Sequence, residues 1–191
     1  MSYDFYAFIS RMKHIKRWSL MRSTIEENIM EHSFMVTTVA HALALIRKEI
    51  FKKEVDLYKV LTYAQYHETG EVITGDLPTP IKYFNESITS AYKDLEEISC
   101  NKLIDKLPKE LQEEYKKAIF PQKDTIEYVI VKQADRLCAL IKCIEELRAG
   151  NNEFKKAKQS ILKDVKEFNS EECKYFIDNI LPSFEKTLDE L

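Results

Sequence analysis

Three features of the sequence predict an all-α protein. The chain of 191 residues contains only three glycines and five prolines, fewer than a turn-rich β-protein uses. Lys, Glu, Leu and Ile, which favour or tolerate helices, are abundant. Apolar residues recur at intervals of three and four, the spacing that places them on one face of a helix. The length suits one domain, residues 1–191, whose core is large enough to fold without cross-links.

The first helix is predicted over residues 4–12, where Phe5, Phe8 and Met12 share a face. Residues 13–30 are polar and irregular, and such long loops in a compact domain are uncommon unless they are functional. This loop carries Arg17 and Trp18, the only tryptophan. The pair suits stacking on, and ion pairing with, a small anionic ligand. On these two residues alone, a core-anchoring Trp beside a solvated Arg is the preferred interpretation.

The second helix is predicted over residues 32–50, with His32 at the start of its apolar face. Val36, Val39 and Leu43 follow His32 at spacings of four, three and four. His41 lies nine positions after His32, which is half a turn out of phase, so it faces the opposite way. A lone His on an apolar face is more often a core residue than a ligand. His32 therefore needs a second ligand before it indicates a metal site.

The third helix is predicted over residues 56–74 and carries His67, Glu68 and Glu71. His67 and Glu71 are four residues apart and share a face, with Glu68 about 100° around the helix. Pro78 and Pro80 lack the amide hydrogen that a helix needs and restrict the residues before them. We therefore expect a stiff loop over residues 76–80.

The next two helices are predicted over residues 85–107 and 109–119. Asn85 or Ser87 caps the first of them. Its expected inward stripe consists of Ile88, Ala91, Tyr92, Leu95, Ile98 and Leu103. The second helix is short, charged and mostly exposed, and it stops before Pro121.

A long helix is predicted from a cap at Asp124 to residue 149, with Gly150 as its C-terminal stop. Asp135 lies near its middle, next to Val131 and Cys138 on neighbouring turns. A carboxylate buried there needs a cation or hydrogen-bond donors, because an unpaired buried charge is costly. Residues 153–191 are expected to form two or three further helices.

Composition excludes several functional classes. The 29 basic and 32 acidic residues are interspersed, so a nucleic-acid polymer is not an expected partner. Cys100, Cys138, Cys143 and Cys173 show no C-x-x-C spacing and are expected to be reduced, mostly buried thiols. The N-terminus lacks a signal-peptide pattern, and we find no apolar run near about 18 residues. We expect a cytoplasmic protein with no membrane partner.

Four residues on three predicted helices form a candidate metal site: His32, His67, Glu68 and Asp135. Two imidazoles and two carboxylates suit a first-row divalent ion that keeps open positions for water and substrate. The alternative is a zinc-protease H-E-x-x-H motif, but Glu71 stands where its second histidine is required. We give that alternative little weight.

Several segments resemble the HD-domain phosphohydrolases, whose metal signature is H...HD...D, and most closely the bacterial HD-domain 5'-deoxynucleotidases. The similarity extends over nearly the whole chain. The proline loop and the Ala-Gly-Asn-Asn-Glu-Phe stretch are more specific than the bare metal signature. The segments that carry the resemblance are Arg17 with Trp18, and residues 31–33, 71–85, 131–135 and 142–154.

The resemblance implies a multi-helix HD-domain fold, a homodimer and a site for cobalt, manganese or copper. His32, His67, Glu68 and Asp135 would be the metal ligands, with Glu68 where the family has aspartate. Glu71 would be the general base for an attacking water, and Asp76 a second catalytic residue. Trp18 would exclude a 2'-hydroxyl from the sugar site. The implied substrate-binding residues are Arg17, Trp18, His32, Glu68, Asp76, Leu77, Pro78, Thr79 and Asp135.

The implied function is hydrolysis of a deoxyribonucleoside 5'-monophosphate to a deoxynucleoside and phosphate. One alternative is a nucleotide-binding module in which Glu68 impairs or abolishes turnover. Another is an HD phosphohydrolase for a different, cyclic or polyphosphorylated, nucleotide. A purely structural helical oligomer is the weakest alternative. In the corresponding non-functional interpretations, Glu71 is a solvated helix residue and Asp76 a turn former.

Overall fold

Ten α-helices dominate the computed structural model, which describes residues 2–191, and no β-strand occurs in that range. The all-α prediction is confirmed. Short 3₁₀-helices occupy Ser10–His14, Asn152–Phe154, Leu181–Glu185 and Leu188–Glu190, and a π-helical turn occupies Ile46–Ile50. The α-helices are α1 Phe5–Ile9, α2 Ile29–Leu45, α3 Leu57–Tyr66, α4 Glu71–Thr74, α5 Thr79–Lys82, α6 Glu86–Ile104, α7 Lys109–Ile119, α8 Ile126–Arg148, α9 Lys155–Glu167 and α10 Glu171–Asn179.

The main core forms where α2, α3 and α8 pack against one another, with α9 and α10 covering α8 and α2. The predicted apolar face of α2 is buried, with Val36 and Leu43 fully inaccessible, and Leu137 of α8 packs in the same cluster. Burying one such side chain contributes about 1.5–3 kcal/mol. These three helices carry the four candidate metal ligands or lead directly into them.

The start of α2 differs from the prediction by three residues. Asn28 accepts hydrogen bonds from the backbone N–H groups of Met30 and Glu31, and Glu31 accepts one from the N–H of Asn28. This capping box starts the helix at Ile29 and places His32 at the end of its first turn. The predicted cap Asn85 of α6 is confirmed. The predicted cap Asp124 of α8 is wrong, because Thr125 accepts the bond from the Tyr128 N–H.

The predicted continuous helix over residues 56–74 is interrupted after Tyr66. The Thr69 hydroxyl donates to the Tyr66 carbonyl at 2.7 Å and competes with the helical pattern. Gly70 then allows a close approach to α6, since a Cβ there would lie 3.3 Å from both Cys100 Sγ and the Glu96 carbonyl oxygen. His67 and Glu68 therefore lie in a turn between α3 and α4.

The proline loop is shorter than predicted. Gly75 ends α4 with φ 75° and ψ 167°, a conformation that essentially only glycine adopts. Residues 76–78 follow, and Thr79 and Pro80 already belong to the first turn of α5, where proline is well tolerated.

The predicted inward stripe of α6 is partly wrong. Ile88, Leu95 and Ile98 are 37%, 46% and 51% exposed, whereas Tyr92 and Leu103 are buried as predicted. The reason is that α6 packs against α4, α5, α7 and α1 rather than against the main core. Its buried residues belong to a second apolar cluster made of Phe5, Cys100, Leu103, Ile104, Leu107 and Ile119.

All four cysteines are buried and unpaired, as predicted. One helical stretch, Ile29–Ile50, is long and apolar enough to cross a membrane by length and composition, contrary to the expectation that no such apolar run occurs. Half of its most apolar window is buried inside the protein. Because α2 packs against both α3 and α8, we assign this stretch to the core.

Candidate active site

Four side chains converge where the turn after α3 meets α2 and α8. They are His32 of α2, His67 and Glu68 of the turn, and Asp135 of α8, and one donor atom from each lies within 4.8 Å of the others. His32 Nε2 lies 3.1 Å from Asp135 Oδ1 and 3.4 Å from His67 Nε2. We call these four residues the donor cluster. The structure thus brings together the four residues predicted from the sequence as metal ligands.

Each imidazole is held by its surroundings. His32 is fully buried, and His67 Nδ1 lies 2.7 Å from the Ala64 carbonyl oxygen. A carbonyl oxygen can only accept, so His67 Nδ1 carries a proton and Nε2 is the ring nitrogen that faces the cluster. Such an outer hydrogen bond is the usual way to orient a metal-binding His.

Glu68 reaches the cluster despite its extra methylene. Its Oε1 lies 3.2 Å from His67 Nε2 and 3.8 Å from His32 Nε2. Burial opposes ionisation, but His67, His32 and Arg17 together hold the pKa of Glu68 far below its usual range. Glu68 is therefore an ionised oxygen donor at the same point as the other three.

A further buried carboxyl group, Glu71, lies beside the donor cluster. Glu71 is 5% exposed, and burial together with the adjacent Glu68 carboxylate raises the pKa of Glu71 to about 10. Glu71 Oε2 and His32 Nδ1 are buried without a hydrogen-bond partner among residues 2–191. Neighbouring carboxyl groups repel one another when they are ionised, and a divalent metal ion removes that repulsion. The converging nitrogen and oxygen atoms are also ligands that such an ion binds.

Arg17 lies in the irregular loop predicted over residues 13–30 and reaches the donor cluster. Its Nη1 lies 3.6 Å from Glu68 Oε1. Lys16 and Asn28 form an antiparallel bridge that closes the loop, with the Arg17 N–H donating to the Glu27 carbonyl at 2.9 Å. Arg17 therefore presents a guanidinium at the edge of the site, where a phosphate can be bound.

Trp18 follows Arg17 with φ 59°, an unfavourable value for a bulky residue that costs about 1–2 kcal/mol. Its ring packs against Phe154, with the two centroids 5.2 Å apart. The core-anchoring interpretation is thus partly correct, because Trp18 contacts the main core. The same ring is only partly buried and adjoins Arg17.

Asp76 is also close to the cluster. Burial raises the pKa of Asp76, while the neighbouring Arg17 charge opposes that rise. Leu77 and Pro78 are half-buried and Thr79 is exposed. Within the described part of the chain, the Thr79 hydroxyl makes no hydrogen bond to the donor cluster, so the substrate role of residues 77–79 stays a prediction.

Sequence reasoning missed two residues of this region. Glu27 accepts hydrogen bonds from both Arg17 and Trp18, but only the loop closure reveals that it faces them. Lys132 Nζ lies 4.0 Å from Asp135 Oδ2. Its position three residues before Asp135 on α8 is a signal that helical periodicity could have found.

Comparison with known proteins decides the family. The sequence profile described as 5'-deoxynucleotidase YfbR-like matches residues 4–184. The chain belongs to the YfbR-like 5'-deoxynucleotidase family. Two relatives named 5'-deoxynucleotidase, from Vibrio cholerae and Erwinia tasmaniensis, are each 48% identical over 188 residues. The match covers 98% of this chain in both cases, and 97% and 95% of the respective relatives.

Solved structures place this YfbR-like chain among the HD-domain proteins. An HD-domain phosphohydrolase from Listeria innocua matches with a TM-score of 0.84 and 26% identity, over 95% of this chain and 88% of the other. The HD phosphohydrolase of cyanophage S-2L, solved with dA and one catalytic Zn²⁺ ion, matches with a TM-score of 0.57 and 18% identity. That second match covers 97% of this chain and 96% of the other, and it supports the fold alone. The predicted family and HD-domain fold are confirmed.

Proposed function

We propose that this protein is a metal-dependent 5'-deoxynucleotidase, which hydrolyses deoxyribonucleoside 5'-monophosphates to deoxynucleosides and phosphate. The observation that carries the proposal is the convergence of His32, His67, Glu68 and Asp135 within 4.8 Å, with the Arg17 guanidinium beside them. Membership of the YfbR-like family and the names of the curated relatives support the same activity.

The donor cluster is the proposed binding site for one divalent cation, with cobalt, manganese and copper as candidates. Imidazole nitrogens and carboxylate oxygens also suit Zn²⁺, which adds a fourth candidate. Held by these four residues, a divalent ion would polarise a phosphoryl oxygen and lower the pKa of a water molecule. Two nitrogen and two oxygen ligands from the protein would leave coordination positions for the phosphoryl oxygen and the water molecule.

The protein's own side chains perform the remaining steps. Arg17 binds the phosphate. A cation in the donor cluster would offset the Glu68 charge that, together with burial, raises the pKa of Glu71, so Glu71 would ionise and accept the proton of the attacking water through its unpartnered Oε2. The water oxygen forms a bond to phosphorus as the bond to the 5'-oxygen breaks. The 5'-oxygen leaves as a hydroxyl after it takes a proton from solvent, and Glu71 returns its proton to solvent. Asp76, Leu77, Pro78 and Thr79 complete the phosphate and sugar pocket, with His32, Glu68 and Asp135 at its base. No covalent enzyme intermediate is required.

We assign deoxy-sugar selection to Trp18. Its ring lies next to Arg17 and is held on Phe154, so it cannot withdraw easily. A rigid ring that clashes with a 2'-hydroxyl rejects a ribonucleotide more firmly than a missing contact does. The expected substrates are therefore the deoxy monophosphates.

A phosphate-release assay tests this function. Deoxy and ribo 5'-monophosphates are incubated with the protein after EDTA treatment and after addition of cobalt, manganese, copper or zinc. We expect release that requires added metal and is faster for each deoxy substrate than for its ribo counterpart. Equal rates on both sugars at saturating metal would contradict the role of Trp18.

Glu68 supports a second candidate, a nucleotide-binding module without turnover. In that case, the protein binds deoxy monophosphates tightly and releases no phosphate with any metal. Gain of turnover in Glu68→Asp would then assign the loss to this residue. Measurable turnover in the unmodified protein excludes this candidate. Cyclic nucleotides and nucleoside triphosphates form a separate set of substrates. Ring opening, or release of pyrophosphate or triphosphate, from these substrates without phosphate release from the monophosphates would favour an HD phosphohydrolase for a different nucleotide.

We also propose that the protein is a cytoplasmic homodimer that binds neither a nucleic-acid polymer nor a membrane. The outer face of α6 supports the dimer, because Ile88, Leu95 and Ile98 form an exposed apolar stripe. Light scattering after size-exclusion chromatography tests it. Leu95→Glu should shift a dimer to a monomer, whereas Glu97→Gln on the same helix should not.

A further inference from the structure

Glu27 holds the two residues to which the proposed function assigns the phosphate and the sugar. Its Oε2 accepts from Arg17 Nε at 3.0 Å and from Trp18 Nε1 at 3.1 Å. The side chains of Arg17 and Glu27 are only 13% and 18% exposed, so the ion pair is largely shielded from water. A single oxygen thus fixes the guanidinium and the indole relative to each other.

Trp18 needs such support for two reasons. Its backbone is in the left-handed region, which a bulky residue leaves unless neighbouring contacts hold it there. Its indole N–H requires an acceptor once the ring is partly buried. Glu27 supplies that acceptor as a charged group, and charge-assisted hydrogen bonds are stronger than neutral ones.

The rest of the loop is fastened independently of Glu27. Glu146 is fully buried at the end of α8 and accepts from the backbone N–H groups of Thr24 and Ile25. Asn151 donates to the Arg22 carbonyl at 2.6 Å and to Glu146 at 2.8 Å. These contacts fix residues 22–25 but do not reach the indole of Trp18. They leave the orientation of Trp18 to Glu27 and Phe154.

We propose that Glu27 is a positioning residue for sugar discrimination, because it sets the orientation of the Trp18 indole beside Arg17. The proposal rests on the proposed function, in which Trp18 excludes the 2'-hydroxyl. Without the Glu27 carboxylate, the indole is free to rotate on Phe154, and the clash that rejects ribonucleotides is relaxed. Glu27 itself touches neither the substrate nor the metal ligands in this scheme.

The test combines kinetics with fluorescence, and Trp18 is suited to the second because it is the only tryptophan of the chain. We compare kcat/KM for 2'-deoxyadenosine and adenosine 5'-monophosphates in Glu27→Ala, Glu27→Gln and the unmodified protein. Glu27→Ala should lower the deoxy-to-ribo ratio by about tenfold or more. Without substrate, its Trp18 emission should shift to the red and become easier to quench with acrylamide.

Three further variants separate positioning from a general loss of structure. Glu27→Gln keeps a carbonyl oxygen for the indole N–H and should retain most of the discrimination. Glu27→Leu keeps a side chain of similar size without the acceptor, so it carries the test if Glu27→Ala does not fold. Glu26→Gln is the matched control, because Glu26 is the preceding residue and forms an exposed ion pair with Lys16. It should leave both the ratio and the emission unchanged.

The double variant Trp18→Ala/Glu27→Ala should have the same deoxy-to-ribo ratio as Trp18→Ala, because Glu27 acts through the indole. An additional loss in the double variant would overturn the proposal. So would an unchanged ratio and emission in Glu27→Ala when Trp18→Ala loses discrimination. If Trp18→Ala keeps full discrimination, the proposed role of Trp18 fails and the role of Glu27 in specificity fails with it. The emission of Glu27→Ala then still shows whether Glu27 holds the indole.

Discussion

Glu68 brings its Oε1 atom to the donor cluster although its side chain is one methylene longer than the aspartate of the HD signature. The turn after Tyr66 accommodates this length, because His67 and Glu68 are not on a continuous helix. Glu68 also lies within 3.6 Å of Arg17, so it faces both the metal position and the phosphate position. A shorter acid at this position would give up part of that dual contact.

We therefore predict that Glu68→Ala lowers kcat/KM by about 100-fold or more, since removing a ligand displaces the metal. Glu68→Asp should stay within about tenfold of the unmodified protein, because it keeps an oxygen donor. Titration with cobalt or manganese, followed by phosphate release, measures both effects. Ala and Asp variants of equal activity would contradict a ligand role for Glu68.

A paired histidine experiment tests the cluster from the other side. His32→Ala should abolish metal-dependent activity, because its Nε2 is central to the cluster. His41→Ala is the matched control, since His41 is exposed on the same helix. It should bind metal and substrate normally. Isothermal titration with the metal alone distinguishes the two variants without using activity.

Glu71→Gln should reduce kcat by about 10²–10⁴-fold, the usual contribution of a general base. Metal binding should be retained, because Glu71 is not one of the four clustered donors. Steady-state kinetics and metal titration on the same sample provide the two readings. Loss of metal binding together with activity would instead place Glu71 among the ligands.

At this scale, the sequence identified, for a physical reason, four residues that the fold brings within 4.8 Å of one another. His32 occupies an inward position of a strong apolar period, and Asp135 occupies a mid-helix position that requires a partner. What periodicity could not predict is convergence, because that depends on how α2, α3 and α8 cross. Glu27 was missed for the same reason, since its contact with Trp18 depends on closure of an irregular loop.

Among the elements, α4 and the loop after it depend on Gly75. We predict that Gly75→Ala destabilises the protein by about 1–3 kcal/mol, because alanine is strained at this φ and ψ. The Gly75 carbonyl also accepts from the Tyr92 hydroxyl at 3.0 Å, so a shift of this residue moves the loop that carries Asp76. Activity should therefore fall along with stability.

Asn169→Ala is the comparison for that variant. Asn169 also has a positive φ of 49° but lies between α9 and α10, away from the donor cluster. The Asn169→Ala substitution should lower the free energy of unfolding by about 1 kcal/mol and leave kcat/KM unchanged. Urea denaturation measures stability in both variants. A Gly75→Ala protein with full stability and activity would contradict the strained-turn interpretation.

Two errors in the predicted elements have local causes. The break after Tyr66 depends on the Thr69 hydroxyl, which donates a hydrogen bond to the Tyr66 carbonyl. The spacing of apolar residues carries no information about such a bond. Ile88, Leu95 and Ile98 of α6 have the spacing of a buried helix face, but no helix within residues 2–191 covers them. An apolar period identifies a face that prefers burial. It does not identify what covers that face.

Across the whole molecule, Glu146 links the N-terminal loop to the C-terminal half. It is fully buried and pairs with Lys142 at 2.5 Å, while Thr24, Ile25 and Asn151 donate to it. Burial favours its protonated form, but Lys142 and these donors together hold the pKa of Glu146 far below its usual range. The unfolded chain therefore binds a proton more readily at this position than the folded protein does.

The sign of the pH dependence follows from that difference. A carboxyl with a lowered pKa in the folded state stabilises the fold above its ordinary pKa of about 4.3, and this contribution is lost as the pH falls. Glu146→Gln should be less stable at pH 7 by on the order of 3 kcal/mol, because it leaves Lys142 buried without its partner. The difference from the unmodified protein should shrink as the pH falls from about 5 towards 3. Urea denaturation at pH 7, 5, 4 and 3, followed by far-UV circular dichroism, measures this difference in stability.

Glu185→Gln is the control variant, because it removes an ion pair between Lys158 and a 63% exposed Glu185. It should lower the free energy of unfolding by less than about 1 kcal/mol at pH 7. A gap between Glu146→Gln and the unmodified protein that is constant across this range would show that the charge of Glu146 does not hold the two halves together.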